Sequence, residues 1–202
     1  MKNDACSARG RPRKFDPAQA LDRALEVFWR KGYEGASLGD LTGAMGINRP
    51  SLYAAYGNKE ALFRKVLDRY AERTEAKFRH CLEAPTAREV AARLLGLVAE
   101  SAACPQGPRA CLLVGGSLTC GDEAERMRQE LVRRRGLSEN ALRQRFERAR
   151  AEGDLPPDAC PDDLARFLAT VQQGMSVQAV GGACRESLDR VAAVALRAWP
   201  AK

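Results

Sequence analysis

Between Ser37 and Lys59 the chain gathers the side-chain types that hold phosphate oxygens and read base edges: hydroxyls at Ser37, Ser51 and Tyr53, an amide at Asn48, and cations at Arg49 and Lys59. Arginine presents a planar fork of donors that matches a guanine edge, whereas hydroxyls and a lysine ammonium serve as simple phosphate donors. Their common chemistry is recognition of a polyanion. Nothing else in the chain competes for a chemical role of the bond-making kind. There is one histidine, His80, and no glycine-rich phosphate loop after a strand, no carboxylate and histidine cluster and no serine-nucleophile motif. An enzyme is not expected, nor a cofactor or a bound metal.

Two short helices must position these groups. Ser37 is a helix N-cap, and Asp40 three residues on completes a capping box that satisfies two backbone donors reciprocally. Leu38, Leu41 and Met45 then form one buried stripe, and Gly46 falls where the chain turns through a left-handed conformation. Ile47 plugs that turn, Asn48 is a second N-cap, and Pro50 occupies a first helical turn where its missing N–H costs nothing. The second helix is predicted from Arg49 to Tyr56, with Leu52 and Tyr56 inward and Arg49, Ser51, Tyr53, Ala54 and Ala55 outward or sideways. Two helices joined by a short turn containing Gly make a helix-turn-helix, whose second helix enters the DNA major groove. Gly39 and Gly43 in the first helix each cost about 1 kcal/mol relative to Ala, for no reason visible in the sequence.

Charge follows the motif. Arg9-Gly10-Arg11-Pro12-Arg13-Lys14 packs four cations into six residues, a composition suited to an extended arm in a narrow minor groove. Residues 1–65 carry a net +5, so the other 137 share only +2 of the +7 total. A positive field is thereby concentrated where the motif lies.

Residues 9–70 resemble the N-terminal domain of the TetR/AcrR family of bacterial transcriptional regulators. The likeness rests on the Arg9-Gly10-Arg11-Pro12 arm and on a first helix with Ala20, Leu21, Ala24, Leu25, Phe28 and Trp29. It continues through the Lys31–Ser37 link, the run Gly46-Ile47-Asn48-Arg49-Pro50-Ser51-Leu52-Tyr53, and the run Tyr56–Phe63. The resemblance implies an all-α homodimeric repressor that binds double-stranded operator DNA and answers to a small-molecule effector. It also implies roles: Ser37, Tyr53 and Lys59 on backbone phosphates, and Arg49, Ser51, Ala54 and Ala55 facing bases, with Arg49 the best candidate for guanine. Asn48, Pro50 and Tyr56, with Arg9, Arg11, Arg13 and Lys14 of the arm, complete the expected DNA-binding set. Ala54 and Ala55 depart from relatives that carry aromatic or His side chains there, leaving at most a methyl contact to thymine.

About nine helices are expected, divided as a basic arm (1–14), a three-helix DNA-binding domain (15–60) and a ligand-binding and dimerisation domain (61–202). At 202 residues, with 45% hydrophobic and 29% charged residues, the chain has ample core for this. No apolar run approaches the ~18 residues of a membrane span and the polar N-terminus is no signal peptide, so a cytoplasmic protein is expected. Leu62 to Phe78 mark a long fourth helix ending near Cys81, and Thr86 caps a fifth. A seventh is predicted from about Glu123 to Glu152 with Arg133-Arg134-Arg135 on its solvated face.

By the resemblance, the eighth and ninth helices form the dimer interface, with Leu164, Phe167, Val171, Gly174, Met175, Gln178, Leu188, Val191, Ala195 and Trp199 as candidates. The effector pocket falls among the fourth to seventh helices, with Phe78, Leu97, Ser101, Cys111, Val114, Leu118 and Met127 as candidate lining. Seven cysteines with no C-x-x-C pair argue against a disulfide framework or a structural zinc site. Cys104, Cys111 and Cys120, grouped around the sixth helix, suggest an alternative reading in which thiolate chemistry senses an oxidant, an electrophile or a soft metal.

Overall fold

A computed structural model describes residues 16–103, 111–115 and 125–200. The arm residues Arg9, Arg11, Arg13 and Lys14, together with Cys104, Leu118 and Cys120, lie outside them. The described residues form nine helices: α1 (Pro17–Gly35), α2 (Leu38–Met45), α3 (Arg49–Tyr56), α4 (Lys59–Leu82), α5 (Ala87–Ala102), α6 (Leu112–Gly115), α7 (Glu125–Ala151), α8 (Pro161–Val180) and α9 (Arg185–Arg197). None of these helices is long and apolar enough to cross a membrane.

The helix ends follow local chemistry. Asp16 caps α1 by accepting from the Ala18 amide at 2.9 Å, Thr86 caps α5 through Glu89, and Pro161 opens α8. α1 breaks at Gly32, whose φ of 70° and ψ of 178° lie in a region essentially reserved for glycine. That break turns Tyr33 back onto Phe63, 5.1 Å between ring centroids, while Phe28 meets Phe63 at 4.8 Å and Trp29 meets Tyr70 edge-on at 5.0 Å. Aromatic pairs of this kind contribute about 0.5–1.5 kcal/mol beyond their buried area. Arg69 adds a two-pronged bond to Asp22 at 2.8 and 3.2 Å, tying α4 to α1. The guanidinium holds the Asp22 carboxyl below its ordinary range.

Hydrophobic packing divides into two cores. The first joins α1–α3 to Leu62, Phe63, Val66, Leu67 and Tyr70 of α4, and takes in Leu112 of α6 with Met127 and Leu131 of α7. The second joins Cys81 and α5 to Leu142, Phe146 and Ala149 of α7 and to α8 and α9. The first core therefore runs past residue 60, and α4 and α7 each belong to both cores. α7 also holds the far end of α4: Arg145, 6% exposed, donates to the carbonyls of Leu82, Ala84 and Pro85 at 2.9, 2.8 and 3.2 Å. Helix C-termini leave such carbonyls without partners, and a buried guanidinium satisfies three at once.

The expectation that Arg133-Arg134-Arg135 is simply a solvated face is corrected. Arg133 is exposed, but the Arg134 side chain is only 14% exposed and bonds Glu130 and Asp68, while Arg135 donates to the Leu113 carbonyl at 2.9 Å. Sequence pattern shows charge, and carboxylates on a distant helix decide whether that charge meets water.

Candidate DNA-binding interface

The helix-turn-helix is built as its residues dictate. The Ser37 hydroxyl accepts from the Asp40 amide at 3.0 Å while the Asp40 carboxylate accepts from the Ser37 amide at 3.0 Å, closing the capping box. Gly46 ends α2 in the left-handed conformation (φ 67°), and the Ile47 amide returns to the Thr42 carbonyl at 3.1 Å. Asn48 then accepts from the Ser51 amide at 2.9 Å, starting α3. Leu41, Met45 and Leu52 are buried against α1 and α4, which fixes the roll of α3 about its axis.

That roll turns Arg49, Pro50, Tyr53 and Ala54 to solvent, with Ser51 and Ala55 at the margin. Tyr53 is 48% exposed. Among the described residues, neither the Arg49 guanidinium nor the Tyr53 hydroxyl has a hydrogen-bond or ion-pair partner. Both donors are therefore available to an external acceptor.

Other expected contacts are already committed inside the chain. Tyr56 is 7% exposed and its hydroxyl donates to the Pro17 carbonyl at 2.9 Å, so it is a brace between α3 and the start of α1 rather than a surface donor. The Asn48 amide oxygen serves its cap. The Ser37 hydroxyl donates to Asp40 at 2.7 Å and must leave that bond to reach a phosphate. Lys59 rests 4.7 Å above the Tyr33 ring with its ammonium 3.4 Å from the Glu34 carbonyl, and burial pushes its pKa down. Lys31 was not singled out from the sequence, yet it lies beside the N-terminus of α2 at 2.6 Å from Asp40. Its hydrogen bond, joined by those of Ser37, lowers the Asp40 pKa to about 2. Only contact across the fold could reveal this, since nine residues separate the pair.

Of the expected pocket residues, those described are not brought together in one place. Phe78 and Leu97 pack on the second core and Met127 and Cys111 on the first, while the Ser101 hydroxyl is bonded to the Val98 carbonyl at 2.7 Å. Of the described candidates, Val114 alone lines an open groove of about 490 Å³ between α6, α7 and α8, with Arg128, Val132, Arg135, Thr170, Gln173, Gly174 and Val177. Of the expected dimer residues, Met175, Leu188, Ala195 and Trp199 are buried in this chain's own core, and Leu164 and Val171 are half-buried against it. Phe167, Gly174, Gln178 and Val191 remain exposed, joined by Val177, Val180 and Val194. α8 and α9 each carry two apolar stripes, and periodicity does not say which one faces the chain itself.

An all-helical chain with a capped helix-turn-helix and unpartnered donors along its second helix has the architecture of a DNA-binding transcriptional regulator. A profile described as bacterial regulatory proteins, tetR family, matches residues 20–66. The HTH-type transcriptional repressor ComR of Escherichia coli is 37% identical over 195 residues, covering 96% of this chain and 93% of the relative. A solved cysteine mutant of the TetR family transcriptional regulator CifR, complexed with 26-bp double-strand operator DNA, is 48% identical with a TM-score of 0.90, covering 94% of this chain and all of that one. The chain belongs to the tetR family: it is a DNA-binding regulator of transcription and not an enzyme.

Proposed function

We propose that this chain is a sequence-specific repressor that acts as a homodimer on a two-fold-symmetric operator and is released by a small-molecule effector. The carrying observation is the exposed α3 face with its uncommitted Arg49 and Tyr53. Similarity to the repressor ComR and to CifR, which was solved on operator DNA, supports repression and operator binding. In this reading Arg49 reads a base, Ser51 and Ala54 flank it, and Tyr53, Lys59 and the α2 N-terminus near Ser37 hold phosphates. The arm, Arg9 to Lys14, follows the minor groove.

For pairing, the outward Phe167 and Val180 on α8 with Val191 and Val194 on α9 form the apolar surface a second copy covers. The working division is an arm (1–14), a reading head (15–60) whose core continues into α4, and an effector and pairing part (61–202). The open groove between α6, α7 and α8 is the place assigned to an effector in this reading. Selection of duplexes from a random pool by the full chain tests the reading. An inverted repeat with half-sites about one turn (~34 Å) apart is expected, and no enrichment refutes it.

One contact favours a second reading. The Tyr70 hydroxyl donates to Cys111 Sγ at 3.4 Å, placing that thiol against the first core. Burial and the neighbouring thiol raise the Tyr70 pKa. In this reading, oxidation or alkylation of Cys111 disturbs α4 and frees the DNA. Among the described residues no cluster could hold a metal ion. Release of DNA from the wild type, and not from Cys111→Ser, by diamide with glutathione, which oxidises Cys111 and glutathione to a mixed disulfide as diamide is reduced, is the expected result.

A further inference from the structure

α4 and α7 are the two helices shared between both cores, and alongside the first core they carry matched charges. On α4, Glu60, Arg64 and Asp68 recur every four residues, so they share one stripe with signs minus, plus, minus. On α7, Arg126, Glu130 and Arg134 repeat the spacing with signs plus, minus, plus. The structure pairs them rung by rung: Glu60 with Arg126 at 3.7 Å, Arg64 with Glu130 at 3.7 Å and Asp68 with Arg134 at 2.5 Å. The three rungs advance together along both helices, so α4 and α7 run parallel here.

Within each helix the same groups pair again, Arg64 with Glu60 at 3.3 Å and Arg134 with Glu130 at 2.7 Å. Glu130 is the hub. It is 9% exposed and accepts also from Arg133 at 2.7 and 2.8 Å. Alternation of sign makes the ladder selective. A slip of one rung, about 6 Å along a helix, sets Glu60 against Glu130 and Arg64 against Arg134, and a slip the other way sets Arg64 against Arg126 and Asp68 against Glu130. Every neighbouring register is repulsive. Each rung between the helices has one largely exposed partner, Arg126 at 80%, Arg64 at 43% and Asp68 at 63%, so the ladder adds little stability and its use is to choose between registers.

We propose that Glu130 is a positioning residue for DNA binding: through this ladder it locks α4 to α7 in one register and so sets the angle at which each head is presented to DNA. This rests on the proposed pairing of two heads on one operator.

The test compares affinity for the selected inverted repeat with affinity for the same repeat lengthened or shortened by one base pair between half-sites. The informative variant is Arg64→Glu with Glu130→Arg. It leaves α4 all negative and α7 all positive along the stripe, so attraction survives in every register while register selection is lost. The wild type is expected to discriminate spacing by about tenfold or more, and the double variant by less than about threefold with single half-site affinity unchanged. A double variant that keeps the wild-type ratio overturns the proposal. If that variant does not fold, Glu130→Gln is judged by the same ratio. A wild type indifferent to spacing overturns the paired-head reading instead, so the two failures are distinct.

Discussion

Arg49→Ala isolates base reading from everything else in the molecule. Arg49 is the first residue of α3, is exposed, and has no hydrogen-bond or ion-pair partner among the described residues. Its removal should therefore change folding stability by no more than about 0.5 kcal/mol. A two-pronged arginine–guanine contact discriminates by about 1–3 kcal/mol, or roughly 5- to 150-fold, for one head. On a symmetric operator both heads lose it, for a total of about 2–6 kcal/mol. One cation fewer per head also lowers the salt slope of binding by about 1 for each. Fluorescence anisotropy at two salt concentrations, against an operator and its single-base variants, reads both effects. The expected result is a loss confined to one symmetric base position, with an unchanged melting temperature. A loss of equal size on every duplex would reduce Arg49 to a phosphate contact, and an unaltered base preference would refute the reasoning.

Other perturbations have different signatures. Gly43→Ala meets nothing within 4 Å and should stabilise by about 1 kcal/mol, raising the melting temperature by about 2–4 °C. Gly32→Ala should destabilise by about 1–3 kcal/mol, because its backbone conformation suits only glycine; a neutral result would mean that α1 runs straight without cost. Arg145→Met strands the buried Ala84 carbonyl while letting water reach those of Leu82 and Pro85, and it also relieves an unpaired buried Nη1. A net cost of about 2–4 kcal/mol in urea unfolding is expected, and less than about 1 kcal/mol would remove Arg145 as the anchor of α4. Asp22, Asp40 and Glu130 have lowered pKa values, about 2 for the latter two, because Arg69, Lys31 and Arg133 donate to them. Their contribution is complete above the ordinary carboxylate range near 4 and is lost as pH falls toward 2. Calorimetry should show a melting temperature that is level near neutrality and drops below about pH 4.5, less steeply in Asp22→Asn.

What the sequence disclosed was whatever neighbouring residues decide among themselves. Ser37 with Asp40, Gly46, and Asn48 with Pro50 placed the ends of α2 and α3 where the structure has them, because caps and left-handed turns are local events. The outward roll of Arg49 and Tyr53 was equally legible, following from the inward Leu52 and Tyr56. Whatever depends on a distant element was not. Tyr56 was legible as inward, but not that its hydroxyl is committed to the Pro17 carbonyl, and Met127 and Leu131 give no hint that they complete the first core. Trp199 follows a helical stripe yet folds onto Phe146, 5.3 Å away, inside its own chain. The alternating charges of α4 and α7 were present in the sequence as two separate four-residue repeats. Their meaning lay in the pairing.

The valine row on the outside of α8 and α9 has a genetic consequence. If chains associate through it while each head reads its own half-site, a chain crippled at Arg49 still associates normally. Expressed beside the intact chain, it captures normal partners into one-armed complexes that grip half an operator. Such an allele is dominant over wild type, whereas one altered at Val191 and Val194, unable to associate, is recessive.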